Sequence, residues 1–187
     1  EIEAQSEDIM IADIILKVFD KQKGKVILHR AITNEELGRK LFYEGRLSST
    51  NQVSCAFCHE QSSAFTHHGH DLSHGVNDLI GKRNTPAIQN LAFLSEYFYD
   101  GASSNLEMVP IVPIHNELEM NETLPSIISK LQNDPKYVKM FANAFEDKKV
   151  SSKNMLKALA QFMTVMISSN SKYDKYVRNE EGGGFSD

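Results

Sequence analysis

Ser54-Cys55-Ala56-Phe57-Cys58-His59 holds the only two cysteines of a 187-residue chain, and the reading of this stretch decides the fold. Two thiols in a Cys-x-x-Cys-His arrangement are spaced to form thioethers with the two vinyl groups of haem c, and the adjacent histidine is positioned to bind the iron. Other uses of the same residues remain open at this point. A thioredoxin-like pair normally follows a strand in a βαβ unit, and no such unit is visible. A Cys₂His₂ zinc site needs Cys55, Cys58 and two of His67, His68, His70 and His74. It leaves His59 without a role and lacks a second tight ligand pair. Two buried thiols beside an exposed histidine would leave the surrounding segment unexplained.

That segment, residues 48–86, is rich in Ser, Asn, Gly and His and has little helical or strand periodicity. So long a loop inside a compact domain is commonly organised by a function or a ligand. Five of the seven histidines fall between positions 59 and 74. His67, His68 and His70 read as ordinary surface or core residues. His74 differs, because Gly75 lets the backbone approach a flat ring and fifteen residues separate it from His59, enough chain to reach the opposite face.

Working outward, the flanks read as helices. Thr33-Asn34-Glu35-Glu36 is a capping box for a helix over 34–44 that stops at Gly45, with Leu37, Leu41 and Phe42 on its buried face. Ser104-Asn105-Leu106-Glu107 is a second box, whose helix is kept short by Pro110 and Pro113, leaving 111–114 extended. Thr123 with Pro125 opens a helix through Gln132, and Asp134 with Pro135 another through Phe145. Ser151 or Ser152 caps the longest helix, in which Met155, Leu159, Phe162, Met163 and Met166 share one face and read as core. A short helix covers 172–177. Before position 33, Ile9, Ile11, Ile14, Ile15, Val18 and Phe19 give an amphipathic helix ending near Gly24. With no repeats and no strand pattern long enough to pair, the class is mostly α. The expected organisation is a helical extension over 1–32, a haem domain over 33–180 and a linker over 181–187. In the last, Phe185 and Ser186 look like the staple and cap of a further helix.

Hydrophobic residues at 41% and charged residues at 24% support a packed core. A net charge of −5 disfavours nucleic-acid binding, and no apolar run approaches the roughly 20 residues of a membrane span.

Several stretches together resemble the N-terminal half of the bacterial di-haem cytochrome c peroxidase and MauG superfamily. They are residues 37–48 (LGRKLFYEGRLS), 54–59, Ala64-Phe65-Thr66, 81–87 (GKRNTPA), Phe98-Tyr99-Asp100-Gly101, Leu118-Glu119-Met120 and Tyr173-Asp174-Lys175-Tyr176. The resemblance implies a cytochrome c-like haem domain with long loops wrapped around one covalent haem c. It implies that Cys55 and Cys58 are the thioether positions, His59 the proximal iron ligand and His74 the removable distal ligand. Glu119 corresponds to the distal acid, with Met120 beside it as a cofactor contact, and Asn84 to a ligand of a calcium ion between two domains. Tyr99 stands where the family usually has a tryptophan between two haems, and Val109 where it has a glutamine. His115 matches no family role.

The activity so implied is reduction of hydrogen peroxide, with electrons from a small cytochrome c or cupredoxin, in the periplasm or another extracytoplasmic space. A second haem domain of the same polypeptide and a homodimer are the expected partners. Alternatives are MauG-like oxidation of a protein or organic substrate, against which the His74-Gly75 pair speaks, and a simple bis-His electron carrier.

Overall fold

The computed structural model describes residues 16–20, 25–29 and 32–185. Its elements are β1 (Leu16–Asp20), β2 (Lys25–His29), α1 (Ile32–Phe42), α2 (Cys55–Cys58), α3 (Ile111–His115), α4 (Leu124–Gln132), α5 (Pro135–Ala144), α6 (Ser152–Val165) and α7 (Lys172–Val177), joined by short 3₁₀ turns. Among the described residues the fold is mostly α, with one antiparallel hairpin.

The centre is the pair α1 and α6, which lie along one another, with α5 against α1 and α4 against α5 and α6. Their approach is close because of Gly38: a Cβ there would lie 2.0 Å from the Ala158 carbonyl oxygen. Leu37, Leu41 and Phe42 from α1 meet Met155, Leu159, Phe162 and Met163 from α6, all buried, so the methionine-bearing face is core. Ile127, Leu131 and Phe141 close the layer from α4 and α5.

Helix starts follow the sequence signals. The Thr123 hydroxyl accepts from Ser126 N, Asp134 Oδ1 from Lys136 N and Ser151 Oγ from Asn154 N, each satisfying a first-turn donor. Ser171 and Asp174 form a reciprocal capping box at α7. The second box is shifted by one: Asn105, not Ser104, caps a 3₁₀ turn over Leu106–Met108 by accepting from Glu107 N. The first helix begins at Ile32, so Thr33 lies within it rather than at its cap.

Two further expectations are corrected. Residues 16–20 are not helical but pair with 25–29, Leu16 opposite His29 and Asp20 opposite Lys25; the earlier part of that expected helix lies outside the described residues. Residues 111–114 are helical rather than extended. Pro110 occupies the cap and Pro113 the first turn, where the missing N–H has no intrahelical acceptor to lose. The expected linker starts by folding back: Gly183 is buried against α7, and the Phe185 ring lies 5.2 Å from that of Tyr176. Ser186, read as the cap of a further helix, lies outside the described residues.

Residues 48–86 contain α2 and several single turns, held by paired backbone rather than by long elements. Glu60 bridges Thr66, His74 bridges Ile80, and Ser48 Oγ accepts from the backbone of Gln52 and Val53. Val53, Phe65 and Val76 carry this segment into the core.

Candidate functional site

A cavity of about 600 Å³ opens between this loop and the α1–α6 core. Cys55, Cys58, His59, His74, Asn84, Tyr99, Glu119 and Met120 all line it. Every candidate singled out in the sequence for the cofactor therefore borders one space, although these residues come from α2 and four separate loops.

Helix α2 is a single turn that puts both cysteines on the cavity wall and ends on His59, whose backbone N–H donates to Cys55 O at 2.9 Å. The ring of His59 is fixed by Nδ1, which lies 2.9 Å from Phe65 O. The carbonyl can only accept, so Nδ1 carries the proton and Nε2 keeps its lone pair for a metal. Burial holds the ring below the usual histidine range and hence neutral, although the Phe65 carbonyl bonded to Nδ1 and the nearby Pro86 carbonyl oppose this. The Phe65 carbonyl reaches His59 because Ala64 and Phe65 both take positive φ, 56° and 58°. Non-glycine residues adopt that conformation at a cost of about 1–2 kcal/mol each, offset here by burial of the Phe65 ring and by the bond to His59.

The two thiols are free and half-buried. Desolvation pushes Cys55 up to about 12, and desolvation with the nearby Glu119 charge pushes Cys58 up to about 11. Both therefore stay protonated at neutral pH, and Cys58 Sγ donates to His74 O at 3.2 Å.

His74 is held at both nitrogens. Nδ1 lies 2.9 Å from Asp78 Oδ1, and Nε2 lies 3.2 Å from His70 Nδ1. Gly75 follows, and a Cβ there would stand 2.1 Å from Leu118 O and 2.4 Å from Glu119 O. Only glycine permits this approach, and Val76 N then donates to Glu119 O at 2.7 Å. The His74 loop and the Glu119 loop are thereby joined backbone to backbone. Burial raises the Glu119 carboxyl above the ordinary carboxylate range, partly opposed by Asn116 Nδ2, which donates to Oε1 at 2.8 Å.

Asn84 Nδ2 donates to the carbonyls of His70 and Asp71, which turns Oδ1 toward the Tyr99 hydroxyl at 3.4 Å. The Tyr99 ring is 65% exposed at the cavity rim. Val109 also lines the cavity, presenting an apolar side chain. His67, His68, His70 and His115 do not border it. Among the described residues no three His, Cys, Asp or Glu side chains are grouped to hold a metal ion, so the zinc alternative has no geometry here. Asn116 and Asp78, which orient Glu119 and His74, were not singled out in the sequence. Their signal is spacing: each lies three or four residues from its partner, within reach across one turn.

The residues present fit a haem c. The volume is ordinary for a cofactor pocket, roughly 300–1,000 Å³; its lining is mainly apolar, and it presents two unpaired thiols beside a neutral imidazole with a free Nε2.

Comparisons with known proteins place the chain in a family. The family model for di-haem cytochrome c peroxidase matches residues 33–182. The chain is 33% identical over 145 residues to the methylamine utilization protein MauG of Methylophilus methylotrophus, covering 78% of this chain and 43% of that protein. It is 32% identical over 146 residues to the cytochrome c peroxidase Ccp of Escherichia coli K12, covering 78% of this chain and 31% of the other. Among solved structures, a MauG-like protein associated with microbial copper homeostasis superposes with a TM-score of 0.74 at 26% identity, over 94% of this chain and 51% of that one. The chain thus spans less than half the length of these two curated relatives. With the family match running from α1 past α7 and enclosing every residue of the cavity described above, the chain belongs to the di-haem cytochrome c peroxidase family.

Proposed function

We propose that this chain is the peroxide-reacting haem domain of a two-haem peroxidase, and that it reduces hydrogen peroxide by H₂O₂ + 2e⁻ + 2H⁺ → 2H₂O. The observation that carries this reading is the meeting, in one cavity, of the Cys55/Cys58/His59 attachment set with a half-buried carboxyl whose affinity for a proton is raised. An electron carrier has no use for such an acid.

Cys55 and Cys58 would hold the haem covalently, and His59 Nε2 would bind its iron. When bound, the haem supplies an iron that exchanges single electrons and accepts a peroxide oxygen. Glu119 takes a proton from one peroxide oxygen and returns it to the other, so that the departing oxygen leaves as water. Asn116 keeps the carboxyl aimed while it does so. His74 would be the removable iron ligand, and the seam from Gly75 and Val76 to Glu119 links its position to that of the acid.

The second haem domain, a small redox donor, a homodimer and an extracytoplasmic location belong to the same proposal. Attachment of haem to Cys-x-x-Cys-His takes place outside the cytoplasm in bacteria, which supports the location. No described helix is long and apolar enough to cross a membrane. Asn84 Oδ1 is an oxygen of the kind calcium prefers. Tyr99, in place of a tryptophan, offers an oxidisable ring at the cavity rim.

The test is Glu119→Gln in haem-loaded protein. The absorption spectrum is expected to stay as in the parent while peroxide cleavage slows by roughly 10²–10⁴-fold, the range for losing a positioned acid–base group. Unchanged cleavage would remove Glu119 from the reaction.

A further inference from the structure

We propose that His70 is a positioning residue: its ring N–H holds the distal histidine, His74, in a seat off the iron and so sets how often the iron is open. The proposal rests on the reading of His74 as the distal ligand and adds to it a second site for the same ring.

The argument starts from the protons on His74. Its Nδ1 lies 2.9 Å from Asp78 Oδ1, and a carboxylate only accepts, so Nδ1 carries the hydrogen. In the neutral ring the lone pair is then on Nε2, the one nitrogen able to bind iron. That nitrogen is already engaged, because His70 Nδ1 lies 3.2 Å away and must be the donor. One lone pair cannot serve a hydrogen bond from His70 and a bond to iron together. Ligated and seated positions of His74 exclude each other, and any interaction made in only one of them shifts the balance.

The seat is constructed rather than incidental. The His70 ring stacks on His67, centroids 4.3 Å apart and planes at 24°, and His67 is itself only 8% exposed. His67 meets His74 edge-on, with centroids 6.0 Å apart at 84°. The His70 carbonyl is pinned by Asn84 Nδ2 at 3.2 Å. His74 borders the cavity and His70 does not, so the two stand at the boundary where a ring leaving the cavity would come to rest. In this position Asp78 on Nδ1 fixes the tautomer.

The test uses oxidised, haem-loaded protein and reads spin state together with cyanide affinity, neither of which depends on turnover. His70→Phe keeps an aromatic ring on His67 and removes the donor. The ratio of high-spin to low-spin haem and the affinity for cyanide are both expected to fall by about 3- to 10-fold, the weight of one neutral hydrogen bond. His70→Asn, whose amide N–H stands near the place of Nδ1, is expected to restore both towards the parent values. In a His74→Gly background, itself expected to be high-spin, His70→Phe should change neither.

No change with His70→Phe, while His74→Gly is high-spin, overturns the seat and leaves the distal-ligand reading intact. A low-spin His74→Gly overturns that reading and the seat with it. An equal response in both backgrounds, or an Asn variant that behaves like Phe, also overturns the proposal, since the donor would then not be acting on His74.

Discussion

Glu35 shows how a single residue can oppose the fold that contains it. It lies in the first turn of α1, is 4% exposed, and neither carboxyl oxygen has a hydrogen-bond partner among the described residues. Desolvation raises its pKa from 4.5 to about 7. The folded state therefore binds a proton that the unfolded chain has already lost, and stability declines as pH rises from about 4.5 to about 7. Glu35→Gln mimics the neutral acid and should remove this decline. Urea denaturation is expected to show the variant level with the parent near pH 4 and about 1–3 kcal/mol more stable near pH 8. Glu44 works in the opposite direction: the Arg46 guanidinium holds its carboxyl down to about 2, a contribution present above 4.5 and lost as pH falls through about 2. At this scale the sequence spoke clearly where chemistry demands a rare pattern. Cys55, Cys58 and His59 stand out by spacing alone and His74 by its glycine neighbour and its distance from His59, whereas Glu119 needed the family resemblance. Asn116, Asp78 and His70 were missed because their contribution is a hydrogen bond made only once distant loops are in place.

Elements were legible in proportion to how locally they are determined. The starts of α4, α5 and α6 are set by a capping side chain, with proline just behind it in α4 and α5, and all three lie where those residues place them. Residues 111–114 were misread because two prolines signal an extended chain, yet both fall in positions that lose no helical bond. Residues 16–20 combine apolar residues at spacings that a helix or a strand can use, and the partner strand decides. The α1–α6 crossing was invisible in the sequence, since a glycine inside a helix ordinarily reads as a weak point. Here it is a contact point, and Gly38→Ala should cost about 1–3 kcal/mol by forcing α1 away from the Ala158 backbone. Thermal unfolding checks this, with Gly69→Ala as a control at an uncrowded site whose φ of 76° adds only its own local strain. The Gly75 seam gives a sharper outcome. Gly75→Ala must separate the His74 loop from the Leu118–Glu119 backbone, so peroxide turnover and the spin state should change together. Glu119→Gln should alter turnover alone. A Gly75→Ala variant with a parental spectrum and slowed turnover would uncouple the two loops.

For the whole molecule, the central question is what holds residues 48–86 in place. The helical layer buries a continuous set of side chains from Leu37 to Met166, but the loop contributes only Val53, Phe65 and Val76 to it. Fixing a residue's backbone costs roughly 1–2 kcal/mol, and three apolar side chains at about 1.5–3 kcal/mol each cannot offset that over nearly forty residues. The proposed haem would add to this from the cavity, whose walls include Phe42, Leu159 and Met163 from the core and a long arc of the loop. The proposed haem would contact both sides at once and would be tied to the loop through Cys55 and Cys58. Without it the loop faces about 600 Å³ of cavity across which it makes no contact. Haem-free protein is therefore expected to keep most of its helical far-ultraviolet signal, because α1, α4, α5 and α6 pack without the cofactor. Protease should nevertheless cut it readily within 48–86. Haem-loaded protein should resist cleavage in that segment while remaining open elsewhere. Mass spectrometry of the fragments distinguishes the outcomes: equal protection with and without haem would mean that the loop's own backbone bridges, Glu60 to Thr66 and His74 to Ile80, suffice to order it.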